Sequence, residues 1–342
     1  MQSPMQSSTD EMLKRPQPRA ITWHNGQVGT DSAPGALQEI LRDPQALIWL
    51  DLADDGRSQQ ALLRGVFGLA PITLQTMTET MERAKLLEQD HYFYLVVHGM
   101  AFDPQTNAAQ TPKLDILFGQ NFVITAHSDT IPWLDAMFDI IADTSTDEHL
   151  MSRGVAYLLY ALLDELVDSY FPVLDDLDDI IDDLEDATVN STSNEVQVRI
   201  FHIKRSLVQL RRVISPQLEV ANALVVRASR FIPAQAQPYF VDMHDHMIRA
   251  FEVLDSYRDL MSGILDVYLT TVSNRLNVVM KQLAIISTIF LPITFITGVF
   301  GQNFGHLPQV EFDNGSFFWV MLGIMLLITA FQIWLFRKRG WL

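Results

Sequence analysis

Gly301, Gln302 and Asn303 stand at the end of an uncharged stretch of this 342-residue chain. The Asn303 amide and the backbone carbonyls of Gly301 and Gln302 are neutral oxygen donors, which suit a hard cation that surrenders its water reluctantly. An Asn at the end of an apolar run is costly to bury in hydrocarbon, so its position makes sense where it meets water. Stepping back by threes and fours, Asn277, Met280, Ala284, Ser287, Leu291, Thr294 and Gly298 collect small and hydroxyl side chains on one stripe. One face of this stretch could line a wet path. Small residues also let spanning helices pack closely, and the stripe by itself is equally consistent with that role.

The elements that must hold these residues can be read from charge and periodicity. Charges stop at Lys281, and roughly 24 uncharged residues follow, enough helix to cross a hydrocarbon core about 30 Å thick. A second apolar run, 317–336, is followed by Arg337, Lys338 and Arg339, while Arg275 and Lys281 precede the first. Basic residues on both flanks place both in the cytoplasm, which makes 303–316 an outer loop. That loop carries Glu311 and Asp313 at the outer mouth and no Lys or Arg. Upstream, Phe251, Leu254, Met261, Leu265, Tyr268 and Val272 form a heptad seam, with Arg258 in one slot, that runs straight towards Asn277. Between Tyr239 and Pro292 the chain has no Pro, so stalk and first span read as one helix of about 60 residues, on the order of 90 Å. Such a seam implies partners, hence self-association.

The remainder divides in two. From residue 20 to 145 short apolar runs alternate with helical patterns, an α/β domain. Strands are expected before and after the hairpin dipeptide Asn25-Gly26, at 46–52, 92–101, 114–118 and 122–126, in a sheet of five or more strands. Helices are expected at 34–41, 58–67, 71–81 and 132–141, several opened by Pro. From residue 146 to 280 a helical stalk follows. Tyr170, Leu174, Leu177, Ile181 and Leu184 form one seam, and Ile203, Leu207, Leu210 and Ile214 a second. The first is flanked by acids and the second by Arg and Lys, which reads as an antiparallel hairpin with opposite charges facing. The acids, Asp175 to Asp186, spread round most of the helix and read as a solvated face.

Several chemistries find no support. No Gly-rich phosphate loop or nucleophile elbow is present, and with zero Cys there is no thiolate ligand or disulfide. His91, His98 and His127 read as structural histidines, and His244, Asp245 and His246 are too close in sequence to share a helix face. The net charge of −17 argues against nucleic acid as a partner. With 48% hydrophobic residues and a mean hydropathy of +0.12, a soluble part joins a small membrane part. Residues 1–19 read as a disordered tail without the apolar core of a signal peptide.

Phe300-Gly301-Gln302-Asn303-Phe304 resembles the Tyr/Phe-Gly-Met-Asn signature of the CorA family of divalent-cation channels. The resemblance continues through Leu265 to Leu269, Val272-Ser273-Asn274, Asn277 to Lys281 and Ile289 to Ile296, and more loosely back to about Leu47. Gln302 departs from it, standing where the family usually has Met and the zinc-transporting ZntB branch usually has Val. The resemblance implies a homopentamer with the first span, 281–302, lining the pore, and a second span at 317–336 before a cytoplasmic tail, 337–342. It implies that Gly301, Gln302 and Asn303 form the selectivity filter and that Met280, Leu283 and Leu291 form an apolar constriction. It also implies gating by intracellular divalent cations bound between subunits. Asp242 matches one side of that site. The opposing position, usually acidic, is Thr76: either Glu79 substitutes one turn away or the protein is regulated differently.

The expected protein is thus an α-helical inner (plasma) membrane transporter with both termini cytoplasmic. It has no prosthetic group; magnesium, cobalt, nickel or zinc are its transported and regulatory ions. Its partners are itself and membrane lipids, with no small organic substrate. Magnesium is the first choice and zinc, with or without proton coupling, the alternative. A membrane-anchored scaffold is a further alternative, against which the Gly-Gln-Asn end and the base-free acidic loop both speak. No constellation of nucleophile, base and oxyanion donors points to an enzyme.

Overall fold

The computed structural model describes residues 18–30, 32–79, 82–143, 150–227, 231–301 and 316–341. The chain divides into two compact units, Met1–Leu265 and Asp266–Leu342. In the first, Asn25 and Gly26 take φ of 54° and 77°, the left-handed pair that a two-residue hairpin turn requires. Strand β1 (Arg19–His24) accordingly folds back on β2 (Gln27–Gly29), with Trp23 opposite Val28. The apolar runs become β3 (Leu47–Leu52), β5 (Phe93–His98), β8 (Lys113–Phe118) and β9 (Phe122–Ala126), each buried along its whole length. With β4 (Lys85–Glu88) they form a seven-stranded sheet of order β2-β1-β3-β9-β8-β5-β4. Only β3 and β9 are parallel within it. A separate hairpin pairs β6 (Ala101–Asp103) with β7 (Ala108–Gln110).

Helices α1 (Pro34–Ile40), α2 (Gln60–Gly65), α3 (Pro71–Met77) and α4 (Pro132–Ala142) surround the sheet, three of them opened by Pro, whose missing N–H costs nothing at that position. Leu37, Leu62, Leu63, Leu74 and Met77 pack with Ile48, Leu50, Tyr94, Val96 and Ile124. Helix α3 stops at Met77, four residues before the expected end, because Lys113 Nζ takes the carbonyls of Met77 at 2.8 Å and Glu79 at 2.7 Å. A buried cation thereby closes the helix C-terminus.

The stalk contains α5 (Val155–Asp168), α6 (Tyr170–Asn190), α7 (Asn194–Arg227) and the start of α8 (Gln237–Phe300). Both predicted seams are buried, Tyr170 to Leu184 and Ile203 to Ile214. A clasp binds them to the sheet. Tyr170 Oη donates to the His98 carbonyl at 2.7 Å, and the His98 amide donates to Gln217 Oε1 at 3.0 Å. Ser206 Oγ, donating to the Asn107 carbonyl at 2.8 Å, ties the β6–β7 hairpin to α7.

Two expectations change here. Among the described residues, the ion pair from α7 runs from Arg211 Nε to Asp255 of α8 at 2.8 Å, not to the acids of α6. The buried seam of α8 is Phe240, Met243, Met247, Ala250, Leu254, Met261, Ile264 and Tyr268, so the predicted Leu254, Met261 and Tyr268 belong to it while Phe251 and Leu265 flank it. Ala250 is too small to register as a core position by hydropathy, and half-buried Arg258 turns aside to Asp255 and Asp259. This part of the seam is covered within one chain, so it does not by itself require a second copy.

At the carboxyl ends of β3 and β9 sits a buried ion network. Asp51 accepts from Arg19 Nε at 3.2 Å and from Thr125 Oγ1 at 2.6 Å, and its Oδ1 lies 3.4 Å from His127 Nε2. Because His127 Nδ1 lies 2.6 Å from the Asp129 carbonyl, which can only accept, both ring nitrogens carry protons when the ring faces Asp51. Burial works to lower the His127 pKa, but the Asp51 bond and charge together raise it. Asp51 is held below the usual carboxylate value against its own burial, by His127, Thr125 and Arg19. The Asp51 contribution is present above the unfolded carboxylate value and lost as pH falls through the lower folded one. The His127 contribution is complete below pH about 6.5 and lost as pH rises through the raised folded value. The difference in thermal midpoint between wild type and His127→Gln should therefore be greatest between about pH 4 and 6.5 and shrink steadily towards pH 9. A difference that grows with pH would contradict the charged-imidazole assignment.

Candidate functional site

Two helices among the described residues are long and apolar enough to cross a membrane, the C-terminal part of α8 and α9 (Ser316–Lys338). On α8 the residues screened within the protein are Lys281, Ile285, Ile289, Pro292, Ile293 and Ile296. On α9 they are Met321, Met325, Ile328, Thr329, Gln332, Leu335 and Phe336. Both sets recur at three and four, the repeat of one helix face. Hydrogen bonds join the two helices at two levels: Lys281 Nζ donates to the Gly340 carbonyl at 3.1 Å, and Gln332 Nε2 to the Thr288 carbonyl at 3.0 Å.

The lower of these levels is built on a folded-back helix end. Gly340, with φ of 66°, follows α9; its amide donates to the Arg337 carbonyl at 3.2 Å, and the Trp341 amide to that of Phe336 at 2.9 Å. This is the Schellman pattern, completed by the rings of Phe336 and Trp341 stacked with centroids 5.8 Å apart. The Lys281 ammonium then takes a carbonyl that the helix end leaves open, where positive charge is favoured.

All eight residues of the predicted pore lining, Asn277, Met280, Leu283, Ala284, Ser287, Leu291, Thr294 and Gly298, are exposed. The stripe that excludes Leu283 is centred roughly 140° round the helix from the screened face, at about 100° per residue. It is therefore the side of α8 turned away from α9. Thr294 Oγ1 donates to the Phe290 carbonyl of its own helix at 2.9 Å, which lets a hydroxyl sit in an apolar span without an unsatisfied proton. Gly301 ends the helix, its amide bonded to the Thr297 carbonyl at 2.8 Å. A Cβ there would stand 2.9 Å from that carbonyl, whereas one on Gly298 would meet nothing within 4 Å. Gln302, Asn303, Glu311 and Asp313 lie outside the described residues.

Of the predicted regulatory residues, Asp242 and Glu79 are both exposed. Asp242 lies within the electrostatic reach of residues that the sequence reading passed over. Burial first, then the charges of Asp168 and Asp242, hold the Asp164 carboxyl above the usual range, against a hydrogen bond from Tyr160 and the pull of His246. Tyr160 Oη donates to Asp164 Oδ2 at 2.9 Å, while Asp164 Oδ1 is buried without a hydrogen-bond partner among the described residues. His246 Nδ1 stands 4.0 Å from Asp168 Oδ1, too far for a hydrogen bond. The signal was available: Asp164 and Asp168, like Asp242 and His246, are four apart and share a face. Among the described residues no three His, Asp or Glu converge tightly enough to hold a metal within one chain.

The family model described as "CorA-like Mg2+ transporter protein" matches residues 44–338. The cobalt/magnesium transport protein CorA of Thermotoga maritima is 32% identical over 304 residues, covering 88% of this chain and 85% of that one. The putative metal ion transporter YfjQ of Bacillus subtilis is 31% identical over 306 residues, covering 89% and 93%. The complete structure of the CorA magnesium transporter from Methanocaldococcus jannaschii superimposes with a TM-score of 0.79 at 22% identity, covering 95% of this chain and 98% of that one.

The absence of Cys from the chain makes the exposed stripe directly testable. Single Cys replacements at Ser287 and Thr294 should react with a membrane-impermeant thiol reagent in the assembled protein, and replacements at Ile285 and Ile289 should be protected. Equal labelling of both sets would overturn the face assignment. Gly301→Ala should disturb transport, since its Cβ would press on the Thr297 carbonyl and force a shift at the end of α8.

Proposed function

The chain belongs to the CorA-like Mg2+ transporter family, whose members are membrane transporters of divalent cations and not enzymes. From that membership we propose that it moves divalent cations, magnesium first with cobalt and nickel, across the inner (plasma) membrane through a homopentameric pore. The observation that carries this reading is the stripe from Asn277 to Gly298, which is exposed and turned away from α9. One pair of spans encloses no aqueous path, so a stripe of this composition finds water only where several first spans face one another.

In that arrangement each residue has a distinct task. Asn303 offers a ring of amide oxygens at the outer end, and Gly301 and Gln302 add carbonyls, so an ion is held through its water and need not be stripped. Glu311 and Asp313 raise the local concentration of cations at the mouth. Thr294 and Asn277 give polar rings further in. Met280, Leu283 and Leu291 form an apolar constriction that closes by excluding water. The basic flanks of both spans support cytoplasmic termini.

The regulatory reading rests on Asp242, which is exposed and adjoins the like-charged Asp164 and Asp168. A divalent cation would relieve that repulsion, with Asp242 on one subunit and Glu79 as the opposing donor on the next. Such a cation would favour the packed arrangement of cytoplasmic domains and hence the closed pore.

Magnesium is preferred because the filter offers only oxygens, and His306 is the one softer ligand near the mouth. Zinc is the alternative, since outer contacts through water sense size and charge more than softness, and Gln302 is neither Met nor Val. Asn303→Ala should abolish Mg2+ flux into liposomes while native mass spectrometry still reports five copies; wild-type flux would remove the filter assignment. Zinc flux with no detectable magnesium flux in the unmodified protein would reverse the ion preference. Asp242→Ala should weaken inhibition by internal divalent cations, and unchanged inhibition would dismiss the regulatory site.

A further inference from the structure

Pro292 sits inside α8. With no N–H, it leaves the carbonyl four residues earlier, that of Thr288, without its helical donor, and the ring crowds that same carbonyl. In hydrocarbon no water can make good the loss. The donor comes from the other span: Gln332 Nε2 lies 3.0 Å from the Thr288 oxygen. The remaining half of the same amide, Oε1, is buried with no partner among the described residues. An apolar residue at 332 would avoid that cost, so an amide here is understandable only through the bond its nitrogen makes.

The bond is placed where it governs the proposed path. Leu291, in the constriction, immediately precedes Pro292, and Thr294 follows two residues later. Their direction depends on how α8 bends between Thr288 and Pro292, and kinks of this kind are settled by what satisfies the freed carbonyl. Ile285 on α8 and Phe336 on α9, the buried residues among those described in the two spans, lie one turn from Thr288 and Gln332 respectively.

We propose that Gln332 is a positioning residue for cation passage, supplying through its side-chain amide the hydrogen bond that Pro292 withdraws from Thr288 and thereby fixing the first span where Leu291 and Thr294 face the pore. This rests on the reading of α8 as the pore-lining helix. The dependence on Pro292 separates it from general packing: an Ala at 292 restores the helical donor and leaves Gln332 without a purpose.

The test is a double-mutant cycle on the full-length, detergent-solubilised oligomer, with thermal midpoint and Mg2+ flux in liposomes read in parallel. Gln332→Leu should lower the midpoint and reduce flux by roughly three-fold to fifteen-fold, the range for one intramembrane hydrogen bond. In the Pro292→Ala background the same replacement should leave the midpoint unchanged or raise it. Equal lowering in both backgrounds would overturn the proposal, as would a normal flux in Gln332→Leu despite a lowered midpoint. If Pro292→Ala fails to assemble, Gln332→Glu decides: its protonated carboxyl can donate to Thr288 and its carboxylate cannot. That variant, its carboxyl kept protonated near pH 5 by burial, should approach wild-type stability there, whereas Gln332→Met, of similar length and without a donor, should not; equal loss in both would reject the bond. If the wild type carries no divalent cation, the transport reading fails, while the midpoint cycle still judges the bond.

Discussion

In hydrocarbon every backbone N–H and carbonyl must find its partner inside the protein, because unpaired groups cannot fall back on water. That requirement organises the membrane part of this chain. It makes both spans helical, and it turns Pro292 from a local irregularity into a demand on the neighbouring helix. Two hydroxyls of the first span, those of Thr294 and Thr297, return their protons to the helix backbone. The same requirement selects the face of α8 that must be covered by α9, and so leaves the opposite face for another purpose.

The first unit obeys the corresponding rule for buried charge. Asp51 is tolerated between β3 and β9 because Arg19, Thr125 and His127 surround it, and Lys113 because two carbonyls and Asp115, 3.0 Å away, enclose its ammonium. These networks sit at strand and helix ends, where side chains from elements far apart in sequence can meet. They fix the sheet against α3 and α4, while the Tyr170, His98 and Gln217 clasp fixes it against the stalk. Asp164 departs from that rule: its Oδ1 is buried with no hydrogen-bond partner among the described residues, and two other acids bear on it.

The parts of this structure that were legible in the sequence are those in which one strong signal acts locally. Runs such as Phe93 to Val97 are apolar without interruption because both sheet faces are covered, and Asn25-Gly26 states its turn through backbone sterics alone. The two spans are legible from length and charge. By contrast, β4 and the β6–β7 hairpin are short, and β4 is polar at its ends, so neither alternates long enough to be seen; the hairpin owes its place to Ser206, about a hundred residues away in the chain. Gln332 was hidden for a related reason. A lone amide in an apolar helix has no pattern, and its meaning appears only when Pro292 is brought beside it. Asp164 and Asp168 were masked by the denser acidic run of α6, although their spacing already placed them on one face.

The returned protons of the threonines have an electrical consequence. A hydroxyl that donates to its own helix turns only lone pairs outward, so Thr294 presents an acceptor and no free donor to whatever lies beside it. Water bound to a positive ion points its hydrogens away from the ion, and water round a negative ion points its oxygens away. Where such a hydroxyl lines a watery passage, the first kind of shell is solvated and the second meets oxygen with oxygen. Such a wall would distinguish the sign of a passing ion through the orientation of its hydration shell, with no formal charge of its own.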